Sequence, residues 1–257
     1  MSKELPIKNI ILGKGLAKVA LPLTSVDDAA LVTDANNTAQ ASPDIVEWRI
    51  DFFKKWQEEQ ALSSAVQIIR QVMPETPLIA TFRTKDEGGQ FAIIPDAYEQ
   101  LLIHLTDLDV DIIDVEIGKG PALVNKVIKK AHQAGKLIIA SSHDFDKTPT
   151  AKQLAERFNE MAEAEADILK IATMANDSED VLRTMSASEQ AAKHHNQPVV
   201  SMAMGQIGTI SRLATTVSKS AITFACLSQK EASAPGQVRI NELRQIQNIL
   251  EGKLHES

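Results

Sequence analysis

Eight short runs of the sequence are apolar on both faces, which is typical of strands buried on both sides of a parallel sheet. They are rich in Val and Ile, and polar segments separate them. In chain order they cover 18–24, 44–51, 77–83, 111–118, 136–144, 167–173, 198–204 and 221–227. Their starts lie roughly 23 to 34 residues apart, which is about the length of one strand-plus-helix unit.

The segments between these runs carry apolar residues at the spacing of an amphipathic helix. The clearest of them cover 60–73, 150–165 and 177–195. Asp177 and Ser178 are placed to cap the start of the third. The chain therefore alternates between predicted strands and predicted helices.

Eight such units in about 250 residues predict the α/β class and a (β/α)₈ barrel. We expect residues 1–257 to form one barrel domain, because no linker rich in Pro, Gly or Ser interrupts the series. A doubly wound open sheet is the alternative, but it normally carries a glycine fingerprint after its first strand, and 21–32 has none. The segment 7–22 predicts an N-terminal β-hairpin that turns at 13–15 ("GKG") and closes the bottom of the barrel.

The bulk properties exclude several classes of protein. Of the 257 residues, 44% are hydrophobic and 24% are charged, as in ordinary soluble proteins. No apolar run approaches the roughly 20 residues that span a bilayer, and the start does not resemble a signal peptide. Cys226 is the only cysteine, so no internal disulfide can form. We expect a cytoplasmic protein, and the net charge of −7 argues against a nucleic-acid binder.

Unusual polar residues occur where the predicted strands end, which is where barrels of this kind hold their chemistry. Glu47, Arg49 and Asp51 alternate along the second strand, so they share a face. The other polar residues at these ends are Arg83, Glu87, Asp114, Glu116, His143, Lys170, Arg212, Ser233 and Gln237. Buried charged groups are often purely structural, and that interpretation stays open for the carboxylates of the second and fourth strands.

Lys170 lies in the middle of an apolar run. A lysine buried without a partner tends to lose its proton, and a neutral amine can attack a ketone to form an imine. We expect Arg49 and Arg83 to disfavour the charged amine further. The simpler interpretation is that Lys170 snorkels to solvent or pairs with a carboxylate.

His143 ends the strand that precedes the one with Lys170. Its imidazole suits proton transfer near neutral pH, although a lone histidine is often a satisfied core residue. The two side chains together predict an acid–base and covalent site that needs no metal and no cofactor. Met202 and Met204 are expected to pack the wall of the barrel or pocket.

Seven motifs occur in order across essentially the whole chain: "EWRID", "TFRTKDEGG", "IIDVEI", "SSHDF", "ILKIATMA", "SMAMGQIGTISRL" and "ASAPGQ". With these motifs the chain closely resembles the type I 3-dehydroquinate dehydratase family. The resemblance implies a (β/α)₈ Schiff-base lyase of the shikimate pathway, which leads to aromatic amino acids. Such an enzyme is usually a homodimer, and it removes water from 3-dehydroquinate by syn elimination to give 3-dehydroshikimate.

The resemblance also implies a catalytic role for three residues. Lys170 would form the imine with the C3 ketone of the substrate. His143 would take the C2 proton and protonate the departing C1 hydroxyl, and Glu87 would orient His143 and sustain its basicity. Asp86 is a departure, since it places an extra negative charge beside that glutamate. We expect it to raise the pKa of His143 slightly.

Six further residues would bind the substrate if the resemblance holds. Arg212, the arginine of "ISRL", would grip the substrate carboxylate, since a planar guanidinium holds a carboxylate with two hydrogen bonds. The ring hydroxyls would be held by Glu47, Arg49 and Arg83. Ser233 and Gln237 would close over the substrate.

Two other functions are compatible with a lysine on a barrel strand. A class I aldolase also forms an imine, but many of these enzymes hold a phosphate with glycine-rich loops after strands seven and eight. Here those loops supply Arg212, Ser233 and Gln237, which suit a carboxylate and hydroxyls better. A barrel without catalysis would bind a metabolite and release it unchanged.

Overall fold

Every predicted strand run overlaps one strand of the barrel in the computed structural model, which describes residues 4–228 and 232–250. Two short strands precede the barrel, β1 (Leu5–Ile7) and β2 (Ile10–Leu12). The barrel strands are β3 (Lys18–Leu23), β4 (Ile45–Arg49), β5 (Leu78–Thr81), β6 (Ile112–Glu116), β7 (Leu137–Asp144), β8 (Ile168–Met174), β9 (Val199–Met204) and β10 (Ile222–Phe224).

Helices alternate with these strands, as the apolar periodicity predicts. They are α1 (Asp28–Gln40), α2 (Glu59–Val72), α3 (Pro95–Leu105), α4 (Pro121–Gln133), α5 (Ala151–Glu163), α6 (Ser178–His194), α7 (Thr209–Leu213), α8 (Thr215–Ser218) and α9 (Ile240–Leu250). The predicted cap at Asp177 is confirmed, because its side chain accepts a hydrogen bond from the Asp180 amide. Ser178 is the first helical residue rather than a cap.

The eight strands pair in parallel in the order β10-β3-β4-β5-β6-β7-β8-β9. The two ends of this sheet meet where the Ala221 amide donates to the Val199 carbonyl oxygen over 2.7 Å. The Ser201 amide also donates to the Ser220 hydroxyl oxygen over 3.1 Å. The predicted (β/α)₈ barrel is thereby confirmed.

The barrel has one apolar layer outside its strands and another inside. The outer layer packs the strands against the helices, with Trp48, Phe82 and Tyr98 among its largest members. The inner layer includes isoleucines near the N-terminal ends of six barrel strands, and it extends to Met204 and Phe224 at the C-terminal ends of β9 and β10. Apolar side chains thus fill the N-terminal end of the barrel, and the polar side chains of the predicted site lie at the C-terminal end.

The N-terminal hairpin, formed by β1 and β2, closes the bottom of the barrel as predicted. Its buried residues Ile7 and Leu12 join the isoleucines of the inner layer. The predicted position of the turn is wrong. Ile7 pairs with Ile10, so the turn is Lys8–Asn9, and Lys8 adopts a left-handed conformation with φ 47°. The "GKG" segment instead links the hairpin to β3.

Three strands end two residues earlier than the sequence predicts, and β10 ends three residues earlier, at Phe224. β4, β5 and β6 stop at Arg49, Thr81 and Glu116, and short 3₁₀ turns follow in each connection, at Ile50–Phe52, Lys85–Glu87 and Ile117–Lys119. Polar side chains turn the chain at these points, since Asp51 accepts hydrogen bonds from backbone amides of the connection after β5. Within the described ranges, no helix combines the length and apolarity needed to cross a membrane.

Candidate active site

Lys170 extends from β8 into the barrel and is 3% exposed. Its Nζ lies 3.1 Å from Asp114 Oδ2 and 3.5 Å from Glu47 Oε1. The ring centre of Phe224 lies 4.7 Å away, a distance typical of a cation–π contact. The interpretation that Lys170 pairs with a carboxylate is therefore confirmed, and the idea of an amine buried without a partner is wrong.

The two arginines expected to act on Lys170 are themselves paired. Arg49 binds Asp51 with two hydrogen bonds of 2.8 Å. Arg83 donates to Asp114 and to Glu116, each over 2.9 Å. Each arginine thus faces the lysine with its own charge already balanced by a carboxylate.

His143 and Glu87 form a pair at the C-terminal end of β7. The Nδ1 of His143 lies 2.9 Å from Glu87 Oε2, and the backbone amide of His143 donates to the same oxygen over 3.0 Å. When Glu87 is ionised, this oxygen accepts both N–H groups, and the imidazole proton is on Nδ1. That tautomer leaves Nε2 with a free lone pair, so it is able to accept a proton.

A tight loop after β5 holds Glu87 in place. The amides of Glu87 and Gly89 both donate to the Thr84 carbonyl oxygen, over 3.0 and 2.8 Å. A Cβ atom at position 89 would lie 1.8 Å from the carbonyl oxygen of Arg83, so only glycine fits there. The second glycine of "EGG" is therefore required by the close approach of the backbone at Arg83.

Burial shifts the acidity of both members of this pair. Burial and the nearby charge of Glu116 raise the pKa of Glu87 to about 8. Burial, assisted by the cations Arg83 and Lys170, lowers the pKa of His143 well below 6.5. The imidazole is therefore neutral at neutral pH, as a proton acceptor must be.

Asp86 does not act on His143 as expected. Its side chain is 79% exposed and accepts a hydrogen bond of 2.9 Å from Lys119. This bond lowers the pKa of Asp86. The expected rise in the pKa of His143 is wrong, because Asp86 points to Lys119 and the burial of His143 dominates.

Arg212 lies on α7 and is almost completely buried. Its Nη2 donates to the Pro235 carbonyl oxygen over 3.1 Å, and its Nη1 lies 3.5 Å from Met202 Sδ. Within residues 4–228 and 232–250, its Nε has no hydrogen-bond partner and no carboxylate lies within ion-pair distance. Burial lowers the pKa of Arg212 to about 10, so the side chain is still charged at neutral pH. Such a cation is suited to bind an anion.

Ser233 and Gln237 belong to a loop that follows β10 and covers the site. The Ser233 amide donates to Gln237 Oε1 over 2.9 Å, and Gln237 Nε2 donates back to Ser233 Oγ over 3.1 Å. Gly236 has φ 81°, and a Cβ atom there would lie 2.4 Å from the Gly205 carbonyl oxygen. The loop thus rests directly on the connection after β9.

Eight of the nine predicted site residues line one cavity of about 40 Å³, which has room for roughly one or two water molecules. They are Glu47, Arg49, Arg83, His143, Lys170, Arg212, Ser233 and Gln237. Met202 and Met204 form part of its wall, as predicted. Glu87 lies behind His143 and borders an adjoining polar cavity of about 710 Å³, which shares His143, Phe145 and Ala172 with the first cavity.

The sequence left the roles of two buried carboxylates open and gave no role to two aromatic residues. Asp114 and Glu116 are fully buried and anchor Arg83, and Asp114 also touches Lys170. Their spacing of two residues on one strand was the available signal. Phe145, the last residue of "SSHDF", and Phe224, which lies in none of the seven motifs, line the cavity. No group of three or more His, Cys, Asp or Glu side chains in the described part of the chain is arranged to hold a metal ion.

A family model described as type I 3-dehydroquinase matches residues 19–253. The chain is 38% identical to a 3-dehydroquinate dehydratase of Listeria monocytogenes over 245 residues, which are 95% of this chain and 96% of that protein. It is also 38% identical to a 3-dehydroquinate dehydratase of Escherichia coli O157:H7, over 96% of this chain and 98% of that protein.

Solved structures agree with these relatives. A type I 3-dehydroquinate dehydratase from Clostridium difficile, crystallised with covalently modified comenic acid, matches with a TM-score of 0.93 and 32% identity. The match covers 98% of this chain and 99% of that one. A 3-hexulose-6-phosphate synthase matches with a TM-score of 0.59 at 15% identity, a level that shows the shared barrel fold only.

The acidity of Glu87 gives a direct test of this geometry. The Glu87 carboxyl should lose its proton as the pH rises through about 8, because burial disfavours its charge. Replacing Glu87 with Gln should remove that titration, while His143 should still become protonated only well below 6.5. Carbon-13 NMR of glutamate carboxyls and nitrogen-15 NMR of His143 report the two groups separately.

A matched control is Asp86→Asn, which removes the exposed neighbouring carboxyl and should leave the midpoint near 8 unchanged. A midpoint near 8 that persisted in Glu87→Gln would assign the titration to another group.

Proposed function

The chain belongs to the type I 3-dehydroquinase family, and on that premise we propose how its residues dehydrate 3-dehydroquinate. The reaction removes water from 3-dehydroquinate to give 3-dehydroshikimate in the shikimate pathway, through a Schiff base with the enzyme. The main support for these residue roles is that Lys170, His143 and Arg212, a cation suited to bind an anion, line one cavity.

Lys170 forms the Schiff base in this proposal. Its nitrogen bonds to the C3 carbon of the substrate ketone, and the carbonyl oxygen leaves as water. The resulting iminium withdraws electrons from C2, so the C2 proton becomes easier to remove. The support is the burial of Lys170, which is 3% exposed and lines the cavity.

His143 moves the proton. Its Nε2 takes the proton from C2, the electron pair passes to the iminium, and the C1–oxygen bond then breaks. The same Nε2 gives its proton to the departing hydroxyl, which leaves as water. Glu87 fixes the Nδ1 tautomer, and the support is its 2.9 Å contact with that nitrogen together with the lowered pKa of His143.

The substrate carboxylate would bind to Arg212, the cation with a free Nε. Glu47, Arg49 and Arg83 would hold the ring hydroxyls. Ser233 and Gln237 would close over the ring. The cavity of about 40 Å³ is smaller than a cyclic acid but adjoins the polar cavity of about 710 Å³, so the substrate would enter as this loop moves and would be enclosed when the loop settles.

Trapping the intermediate tests the covalent step. Borohydride added to the protein with 3-dehydroquinate should leave a stable adduct on the peptide that contains Lys170, detected by mass spectrometry. Lys170→Ala should abolish both the adduct and turnover while the circular dichroism spectrum stays unchanged. Lys126→Ala, at an exposed lysine, should behave like the natural chain.

Appreciable turnover by Lys170→Ala would disprove the imine. An adduct on a different lysine would move the covalent site elsewhere. A chain that eliminates water without any adduct would use an enolate rather than an iminium.

Arg212→Ala tests the carboxylate clamp. It should weaken binding of the product 3-dehydroshikimate by about 2–5 kcal/mol, because a desolvated charge pair is lost. Isothermal titration calorimetry measures this change. Arg183→Ala, at a partly exposed arginine paired with Glu179 and Asp180, is the control and should leave affinity unchanged. A loss well below 2 kcal/mol would place the carboxylate elsewhere.

Residues 1–257 would work as one catalytic domain in the cytoplasm, without a nucleic-acid partner. The support for one domain is that a single barrel accounts for β3–β10. The support for the compartment is the single, buried cysteine, which suits a reducing environment. The net charge of −7 disfavours contact with nucleic acid.

The enzyme would also be a homodimer. Four apolar side chains are about half exposed or more on α6, α7, α8 and the connection before α7: Leu182, Ile207, Ile210 and Val217. Exposed apolar side chains on adjoining segments are typical of a contact surface. Sedimentation should give twice the chain mass of 28.0 kDa. Val217→Asp should lower that mass, whereas Val32→Asp on α1 should not. A monomeric natural chain would overturn this assignment.

A further inference from the structure

Asp114 is the buried carboxylate in contact with the reacting nitrogen. It is fully buried on β6, and its Oδ2 lies 3.1 Å from Lys170 Nζ. Its Oδ1 accepts hydrogen bonds from Arg83 Nη2 over 2.9 Å and from Ser141 Oγ over 2.6 Å. Oδ2 therefore contacts the lysine nitrogen, whereas Oδ1 binds the two groups that hold Asp114 in place.

The charge on the lysine nitrogen is the same before and after the imine forms. An ammonium and a ketone give a protonated imine and one water: two of the three ammonium protons leave with the carbonyl oxygen, and one stays on nitrogen. One positive charge and one N–H group are therefore present at Nζ both in the resting ammonium and in the protonated imine. A fixed carboxylate beside Nζ can keep the same hydrogen bond through the whole cycle.

We propose that Asp114 is a catalytic residue that serves as the counter-ion of the Lys170 nitrogen and keeps the imine protonated. The inference rests on the proposed function, because it needs the imine at Lys170. A protonated imine withdraws electrons far better than a neutral one, so the counter-ion determines how easily the C2 proton is lost.

The contacts favour Asp114 over Glu47 for this task. Glu47 Oε1 is farther from Nζ, at 3.5 Å, and it also accepts a hydrogen bond from Thr81 over 3.0 Å. Glu47 borders the cavity, where a substrate hydroxyl can reach it. Asp114 is not part of the cavity wall, so the substrate does not compete for it.

The surroundings of Asp114 keep it charged. Burial alone would raise its pKa, but Arg83 and Lys170 outweigh burial, and the hydrogen bond from Ser141 adds to them, so the pKa lies below the usual value. A carboxylate held in this way keeps its negative charge and does not take the proton from nitrogen. Proton transfer is left to His143. The face of Phe224, 4.7 Å from Nζ, favours the same positive charge.

Asp114→Asn tests the inference, because it keeps the shape and removes the charge. With 3-dehydroquinate bound, the pH at which cyanoborohydride trapping falls to half should drop by about one unit or more. Turnover should fall about tenfold or more. Ser141→Ala is the comparison, since it removes one donor to Asp114 and keeps its charge, so the trapping midpoint should stay within a few tenths of a pH unit of the natural value.

The outcomes separate the two assignments. No trapped adduct in the natural chain would overturn the Schiff-base assignment at Lys170. A natural adduct with an unchanged trapping midpoint in Asp114→Asn would overturn the role of Asp114 alone. If Asp114→Asn does not fold, nitrogen-15 labelling of lysine in the natural chain decides: a protonated imine at neutral pH supports the inference, and a neutral imine overturns it.

Discussion

The site depends on one buried cation, Arg83, and the carboxylates around it. Its guanidinium binds Asp114 and Glu116, both fully buried, inside the C-terminal end of the barrel. Removing these charges from water is costly, and only complete pairing offsets the cost. The arrangement therefore tolerates little variation, because a missing partner would leave an uncompensated buried charge.

This one cation positions both halves of the chemistry. Through Asp114 it fixes the carboxylate that touches the lysine nitrogen. Through Glu116, which accepts hydrogen bonds from the Thr84 amide and hydroxyl, it fixes the start of the loop that carries Glu87. The nucleophile and the proton carrier are thus set relative to each other by a rigid ionic framework rather than by loop contacts alone.

The apolar periodicity and the order of the motifs were enough to predict the barrel strands and the end of the barrel at which the site lies. Two-sided apolar runs located all eight barrel strands, and the same pattern placed Lys170 and His143 at the reactive end. The sequence did not predict hydrogen-bond and ion-pair partners, because residue spacing indicates the face on which a side chain lies and not the group that it contacts. For that reason the contact of Lys170 with Asp114, the hairpin turn at Lys8–Asn9 and the contact of Asp86 with Lys119 became visible only in three dimensions.

The closure of the barrel between β9 and β10 has a mechanical consequence. This seam is joined by the Ala221–Val199 hydrogen bond and the Ser201–Ser220 contact. Arg212 follows the strand on one side of it, and the loop with Ser233 and Gln237 follows the strand on the other. A ligand bound to Arg212 and to the loop with Ser233 and Gln237 would connect the two sides of this seam. Ligand binding would therefore slow amide hydrogen exchange in β10 more than in the strands on the opposite side of the barrel.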